Sequence, residues 1–241
     1  MDGRIVTGPV NWSAVRAVCF DLGGTLVRPE AVATTGQVAE VLGIGLQEAR
    51  ALLGQDAKRR PVTPQDLAHE LAAGFGRPAL ADPLAAVLIR ARCRAETPPL
   101  YPDVPDTLAA LRARGFALYA MTNMLGSSVP EQTPDVFRDL LDSVFYSART
   151  GAIKPEREAF AAVEDACGLR PTELLHVGDS LKADVRGAAA AGWHTAWVDR
   201  HHAAGPQRPD VPTVRLHSLS TLPPLLPARV APGTITSEVA G

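Results

Sequence analysis

Apolar and polar positions alternate along this chain in two rhythms. Short, nearly unbroken apolar runs occupy residues 14–20, 116–122, 144–146, 174–177 and 194–198, with a weaker one at 213–215. Runs of that length read as strands buried on both faces. Residues 106–114, 156–168 and 182–191 instead carry apolar side chains at helical spacing and end at or beside Gly115, Gly168 and Gly192. Glycine at that place is a helix stop, because it accepts the left-handed backbone that closes the last turn. Residues 134–143 also read as helix. Strands alternating with helices predict an α/β fold, a doubly wound parallel sheet with a Rossmann-like core.

The strand rhythm is missing from residue 27 to residue 99. Helical spacing takes over at 31–57, 65–73 and 84–95, with breaks at Pro61, Pro64, Pro78 and Pro83. The pattern predicts a helical cap subdomain over residues 27–99, inserted into a core made of 14–26 and 100–222. Residues 223–241 are rich in Pro, Gly and small side chains, which predicts a loose C-terminal tail.

Polar groups gather where the apolar runs stop. Asp21 follows the first run, in Phe20-Asp21-Leu22-Gly23-Gly24-Thr25-Leu26. Thr122 and Asn123 end the second, Lys154-Pro155 lies in the loop after the third, and Gly178-Asp179-Ser180 follows the fourth, with Asp184 five residues beyond Asp179. Carboxyl ends of parallel strands are where open α/β sheets hold their ligands. Taken singly, each segment has a plainer reading: a turn for Gly23-Gly24, a turn starter for Thr122-Asn123, a solvated Lys154, a helix cap for Asp179. In this order, Asp, Thr, Lys and Gly-Asp-Ser with a later Asp resemble the four motifs of the haloacid dehalogenase-like hydrolase superfamily, over about residues 14–200.

The resemblance implies roles. Asp21 is the nucleophile that forms an aspartyl phosphate. Lys154, Thr122 through its hydroxyl and Asn123 through its backbone N–H hold the phosphate. Asp21, the carbonyl of Gly23 and Asp179 ligate Mg²⁺. Asp184 is a carboxylate behind them that orients a metal-bound water or Lys154. A carboxylate that attacks a phosphate dianion needs positive charge beside it, which Mg²⁺ and Lys154 supply. The chain departs from the pattern at Gly23, where most phosphatases of the superfamily carry a second Asp that protonates the departing oxygen and then activates water. Three readings follow in order: a Mg²⁺-dependent phosphatase on a small phosphorylated metabolite, a non-catalytic relative that binds a phosphorylated ligand or a protein, and a metal-independent haloacid dehalogenase.

Composition narrows the setting. Of 241 residues, 46% are apolar and 21% charged, and net charge is −2. No basic run points to nucleic acid or an anionic membrane. Cys19, Cys93 and Cys167 form neither a paired set nor a zinc spacing. Residues 1–11 are too polar for a signal peptide, so a cytoplasmic setting is expected. His176 reads as a satisfied core histidine and Trp193 and Trp197 as packing residues. Arg90, Arg92 and Arg94 read as a solvated helix face, and His201 and His202 as exposed loop.

Overall fold

A computed structural model of the chain describes residues 11–54, 56–200, 211 and 214–229. Six parallel strands make one sheet: β1 (Ala17–Phe20), β2 (Ala117–Thr122), β3 (Ser143–Tyr146), β4 (Leu174–Gly178), β5 (His194–Val198) and β6 (Val214–Leu216), in the order β3-β2-β1-β4-β5-β6. The chain winds outward from β1 to β3, then returns to β4 on the other side of β1. The order therefore reverses between β1 and β4, and a crevice opens there at the strand ends. Register aligns the site: Phe20 pairs with Ala120 on one side and Val177 on the other. One extra residue along each strand brings Asp21, Met121 and Gly178 level.

The helices are α1 (Thr34–Leu42), α2 (Leu46–Leu52), α3 (Pro64–Gly74), α4 (Ala81–Glu96), α5 (Val104–Ala113), α6 (Asp135–Arg138), α7 (Ser147–Thr150), α8 (Arg157–Cys167) and α9 (Gly187–Ala190). One sheet face packs on a core with Phe20, Leu108, Leu111, Leu118 and Phe137. The other packs on Phe160, Val163, Ala188 and Trp193.

Helices α1 to α4 bury Val38, Leu42, Leu67, Leu71, Leu84 and Leu88 in a separate core, which Leu125 enters from the loop after β2. Helix α3 starts well because Pro64 sits in its first turn and the Thr63 hydroxyl accepts from the Asp66 N–H at 3.0 Å. The two chain crossings into this helical unit lie side by side, bridged between Val27 and Leu100, with Arg28 N–H donating to the Pro99 carbonyl at 2.8 Å. Arg59, on the 3₁₀ turn Asp56–Lys58 and its edge, donates to Glu156 Oε2 at 2.8 Å and to the Gly151 carbonyl at 3.2 Å. The helical unit is thereby fastened to the loop that carries Lys154.

The helical spacing over 31–57 holds two helices: Gly43, at φ 65°, ends α1, and α2 starts anew after Gly45. Three local expectations are corrected. Only Asp135–Arg138 is helical within 134–143, because Leu141 turns into the core ahead of β3. Residues 182–191 begin as a π-helix, Leu181–Arg186, before α9. The tail expected from Pro223 is ordered as far as it is described: Pro223–Leu225 forms a 3₁₀ turn, Leu226 is fully buried, and Arg229 donates to the Val15 carbonyl at 2.6 Å. Residues 230–241, like His201 and His202, lie outside the described residues.

Candidate active site

The buried end of β1 sets the site. Asp21 continues the strand, its N–H donating to the Val177 carbonyl at 2.8 Å, and its side chain is almost wholly buried. The following turn folds tightly on Leu22, whose carbonyl accepts from Leu26 at 2.9 Å and Val27 at 2.7 Å. Gly24 has φ 78°, and a Cβ there would stand 2.2 Å from Asp179 Oδ2. Only glycine lets this backbone lie against that carboxylate. Gly23 differs: it is exposed, its φ is not left-handed, and a Cβ on it would meet nothing within 4 Å. The backbone does not demand glycine at this position.

Lys154 is buried against three oxygens: Asp21 Oδ1 at 2.6 Å, Asp184 Oδ1 at 2.7 Å and the Met121 carbonyl at 2.9 Å. Its loop is held by Asn123, whose side chain donates to the Lys154 carbonyl and accepts from the Lys154 N–H, both at 2.8 Å. The sequence reading gave Asn123 a backbone role alone and missed this clamp. Thr122 ends β2 as a buried residue beside Asn123.

Asp184 is reached through the π-helix. The Ser180 carbonyl accepts from both Asp184 N–H at 3.0 Å and Val185 N–H at 3.1 Å, so the wide turn swings Asp184 inward. Its Oδ2 accepts from Ser180 N–H at 2.9 Å, and its Oδ1 takes His176 Nε2 at 3.0 Å besides Lys154. A Cβ on Gly178 would stand 2.3 Å from the Asp184 Cγ, so the strand end must be bare. His176 is thus part of the site's support rather than plain core. Its Nε2 meets the Asp184 carboxylate, and Nδ1 points into the buried core. Trp197 does more than pack: its Nε1 donates to the Asp179 carbonyl at 3.0 Å.

The carboxylates crowd together. One oxygen from each of Asp21, Asp179 and Asp184 lies within 4.8 Å of the others, with Asp179 the exposed member. Burial pushes the Asp21 carboxyl up to about 7, opposed by Lys154 and reinforced by Asp184 and Asp179. Burial also works against a charged Asp184, yet Lys154 and His176 hold that carboxyl below the usual range. Burial disfavours the Lys154 ammonium too, but Asp184 and Asp21 outweigh it and keep the group charged. A buried and an exposed carboxylate, Asp21 and Asp179, with backbone carbonyls beside them are the oxygen donors a hard divalent cation takes.

A cavity of about 390 Å³ opens from Gly23, Thr122 and Asn123 toward the helical unit. Arg94 lines it, donating to the Arg28 carbonyl at 2.6 Å and facing Glu30 at 3.4 Å. Arg92 meets Glu131 at 2.8 Å and Arg90 meets Gln37 at 3.3 Å. Arg90 is exposed, as a solvated face requires, while Arg92 and Arg94 are half-buried and each ion-paired. Lys58, half-buried, also lines the cavity and was not singled out in the sequence, where a lone lysine between helices carries no signal.

A Rossmann-like sheet with a carboxylate at the end of β1, a buried lysine and an acidic pair after β4 defines a class of α/β protein whose polar site sits at the strand ends. The chain belongs to the haloacid dehalogenase-like hydrolases, whose family model matches residues 15–192. It is 37% identical over 134 residues to a phosphoserine phosphatase of Thermus thermophilus, covering 52% of this chain and 49% of that protein. It is 36% identical over 101 residues to a glyceraldehyde 3-phosphate phosphatase of Methanopyrus kandleri, covering 42% and 43%. The match spans about half the length of these curated relatives or less. Among solved structures, a 2-haloacid dehalogenase from Pseudomonas syringae shares the fold at TM-score 0.62 and 23% identity, covering 88% of this chain and 98% of that one. The hydrolase YfnB of Bacillus subtilis, solved with magnesium bound, shares it at TM-score 0.59 and 21% identity, covering 88% and 98%. Among the described residues, no helix is long and apolar enough to cross a membrane.

Proposed function

We propose that the chain is a Mg²⁺-dependent phosphatase that acts on a small phosphorylated metabolite through an aspartyl phosphate on Asp21. The observation that carries this reading is the convergence of Asp21, Lys154, Asp179 and Asp184 from separate segments onto one strand-end crevice. Asp21 attacks phosphorus, and Lys154 sets a positive charge against its carboxylate and the phosphoryl oxygens. The Thr122 hydroxyl and the Asn123 N–H donate to those oxygens, while the Asn123 side chain keeps Lys154 in place. Asp21, Asp179 and the Gly23 carbonyl would hold Mg²⁺, which when bound offsets the phosphate charge. Asp184 spends its oxygens on Lys154, His176 and Ser180, which suits a supporting carboxylate.

The test is phosphate release from a panel of phosphate esters and acyl phosphates, with Mg²⁺ and with EDTA. Release that needs Mg²⁺ supports the reading. Halide release from a 2-haloacid in EDTA would replace it with the dehalogenase reading, and neither activity would replace it with the binding one.

Two predictions arise here. Gly24→Ala is expected to lower Mg²⁺ affinity by about tenfold or more, because its Cβ displaces Asp179 and its φ strains any side chain. Isothermal calorimetry measures this, and an unchanged affinity would remove Asp179 from the metal site. Gly23→Asp is expected to fold normally, since nothing stands where its Cβ would go. It should raise kcat on alkyl phosphates by up to about 10²–10⁴-fold, and on aryl phosphates far less. Equal gains on both ester classes would mean that the added carboxyl is not acting as the acid.

A further inference from the structure

The cavity that begins at Gly23, Thr122 and Asn123 is the space beside the buried Asp21–Lys154 pair that can take the departing alcohol. Its chemistry can be read from the walls. Val27, Ala33, Ala91, Ala95, Met124 and Phe137 make them largely apolar. The cavity's volume of about 390 Å³ is that of a site for a small organic molecule.

The acids along these walls are poorly suited to protonate a leaving oxygen. Glu30 is engaged by Arg94 and Gln37. The Tyr146 phenol is buried, and burial pushes its pKa above the usual value. Two cations remain without a carboxylate partner among the described residues: half-buried Lys58 and exposed Arg28. Positive charge in a partly dry cavity favours an oxygen that leaves as an anion.

Resting on the phosphatase reading, we infer that this cavity selects aryl phosphate monoesters, in which the phosphate is carried by a phenol-type oxygen on an apolar ring. Two independent features converge on that class. The bare Gly23 favours an alcohol acidic enough to depart unprotonated, and the apolar stretches of wall, from Val27, Ala91, Ala95, Met124 and Phe137, favour a flat apolar body. In the step, an Asp21 oxygen forms the new bond to phosphorus as the phosphorus–aryl oxygen bond breaks. The electron pair stays on the aryl oxygen, which leaves as aryloxide into the cavity that Lys58 lines and takes its proton from solvent afterwards.

The experiment measures kcat/KM with Mg²⁺ for 1-naphthyl phosphate, hexyl phosphate, glycerol phosphate and acetyl phosphate, with the full chain. Naphthyl phosphate is expected to exceed hexyl phosphate, equally apolar but with a basic leaving group, by roughly a hundredfold or more. Filling the cavity with Ala91→Phe, or with Ala95→Phe if the first variant does not fold, should lower the naphthyl-to-acetyl ratio by about tenfold. Lys58→Met should lower kcat for naphthyl phosphate, and free 1-naphthol should compete with it. Comparable rates for hexyl and naphthyl phosphate, or a ratio that ignores the filled cavity, would overturn the aryl assignment while leaving a phosphatase. No turnover of all four would overturn the phosphatase reading and this one with it.

Discussion

Lys154→Met should abolish measurable phosphate release and also destabilise the metal-free protein by about 3–5 kcal/mol, the usual cost of removing one partner from a buried charge cluster. The lysine is the cation shared by Asp21 and Asp184, at 2.6 and 2.7 Å, and all three side chains are buried. Methionine fills the volume of the stem, so lost packing contributes little and the charge is what is tested. In the variant both carboxylates lose their counter-charge, and Asp184 keeps only His176 and the Ser180 N–H. Their pKa values should rise in the folded state. A raised carboxyl pKa costs stability above it and none once the group is protonated. The deficit against wild type should thus be greatest near pH 8 and shrink as pH falls toward 5. Urea unfolding at the two pH values in EDTA measures it. A loss below about 1 kcal/mol at pH 8 would show that the cluster is solvated, as surface ion pairs are.

Much of this arrangement was legible before the structure, and for a definable reason. Apolar runs such as Ala17–Phe20 and Leu174–Gly178 are buried on both sheet faces, so hydrophobicity alone marks them, and their ends mark the site. Asp21, Thr122 and Asp179 could be placed because a parallel sheet puts strand ends together. What stayed hidden depends on contacts between distant segments. Nothing local tells that the Asn123 amide clamps Lys154, 31 residues away, or that His176 meets Asp184. The alternating pattern sees an apolar strand at Leu174–Gly178 and treats His176 as filler. The π-helix was also invisible, since one inserted residue in a helix leaves the apolar spacing almost unchanged while redirecting Asp184. The ordered segment at 223–229 was misread because Pro and Gly content was weighed above Leu225 and Leu226, which cover the sheet core. The space beside Gly23 could not be read at all, because a missing side chain says nothing about room for one.

Asp21→Asn carries the second large effect, and its two consequences have opposite signs. Turnover should fall by roughly ten-thousandfold or more, because the amide is no nucleophile toward phosphorus. Stability of the metal-free protein should rise at pH 8. The Asp21 carboxyl is pushed up to about 7 by burial, against the pull of Lys154 and with the repulsion of Asp184 and Asp179. The folded protein therefore keeps a proton that the unfolded chain releases near pH 4, and folding stability drops as pH climbs from about 4 to about 7. Above that window the full penalty is present in the wild type. Asparagine cannot ionise and so never incurs it, and its Oδ1 can still accept from Lys154. The variant should melt higher than wild type at pH 8 in EDTA, with the gap closing as pH falls to about 4. Mg²⁺ should raise the wild-type melting temperature more than the variant's, because binding to the folded state alone stabilises it. A site built for reaction would then show as a local weakness, with more negative charge gathered at the end of β1 than Lys154 alone offsets. A variant that melts lower than wild type at pH 8 would sink this account, and full turnover by a folded Asp21→Asn would end the assignment of Asp21 as nucleophile.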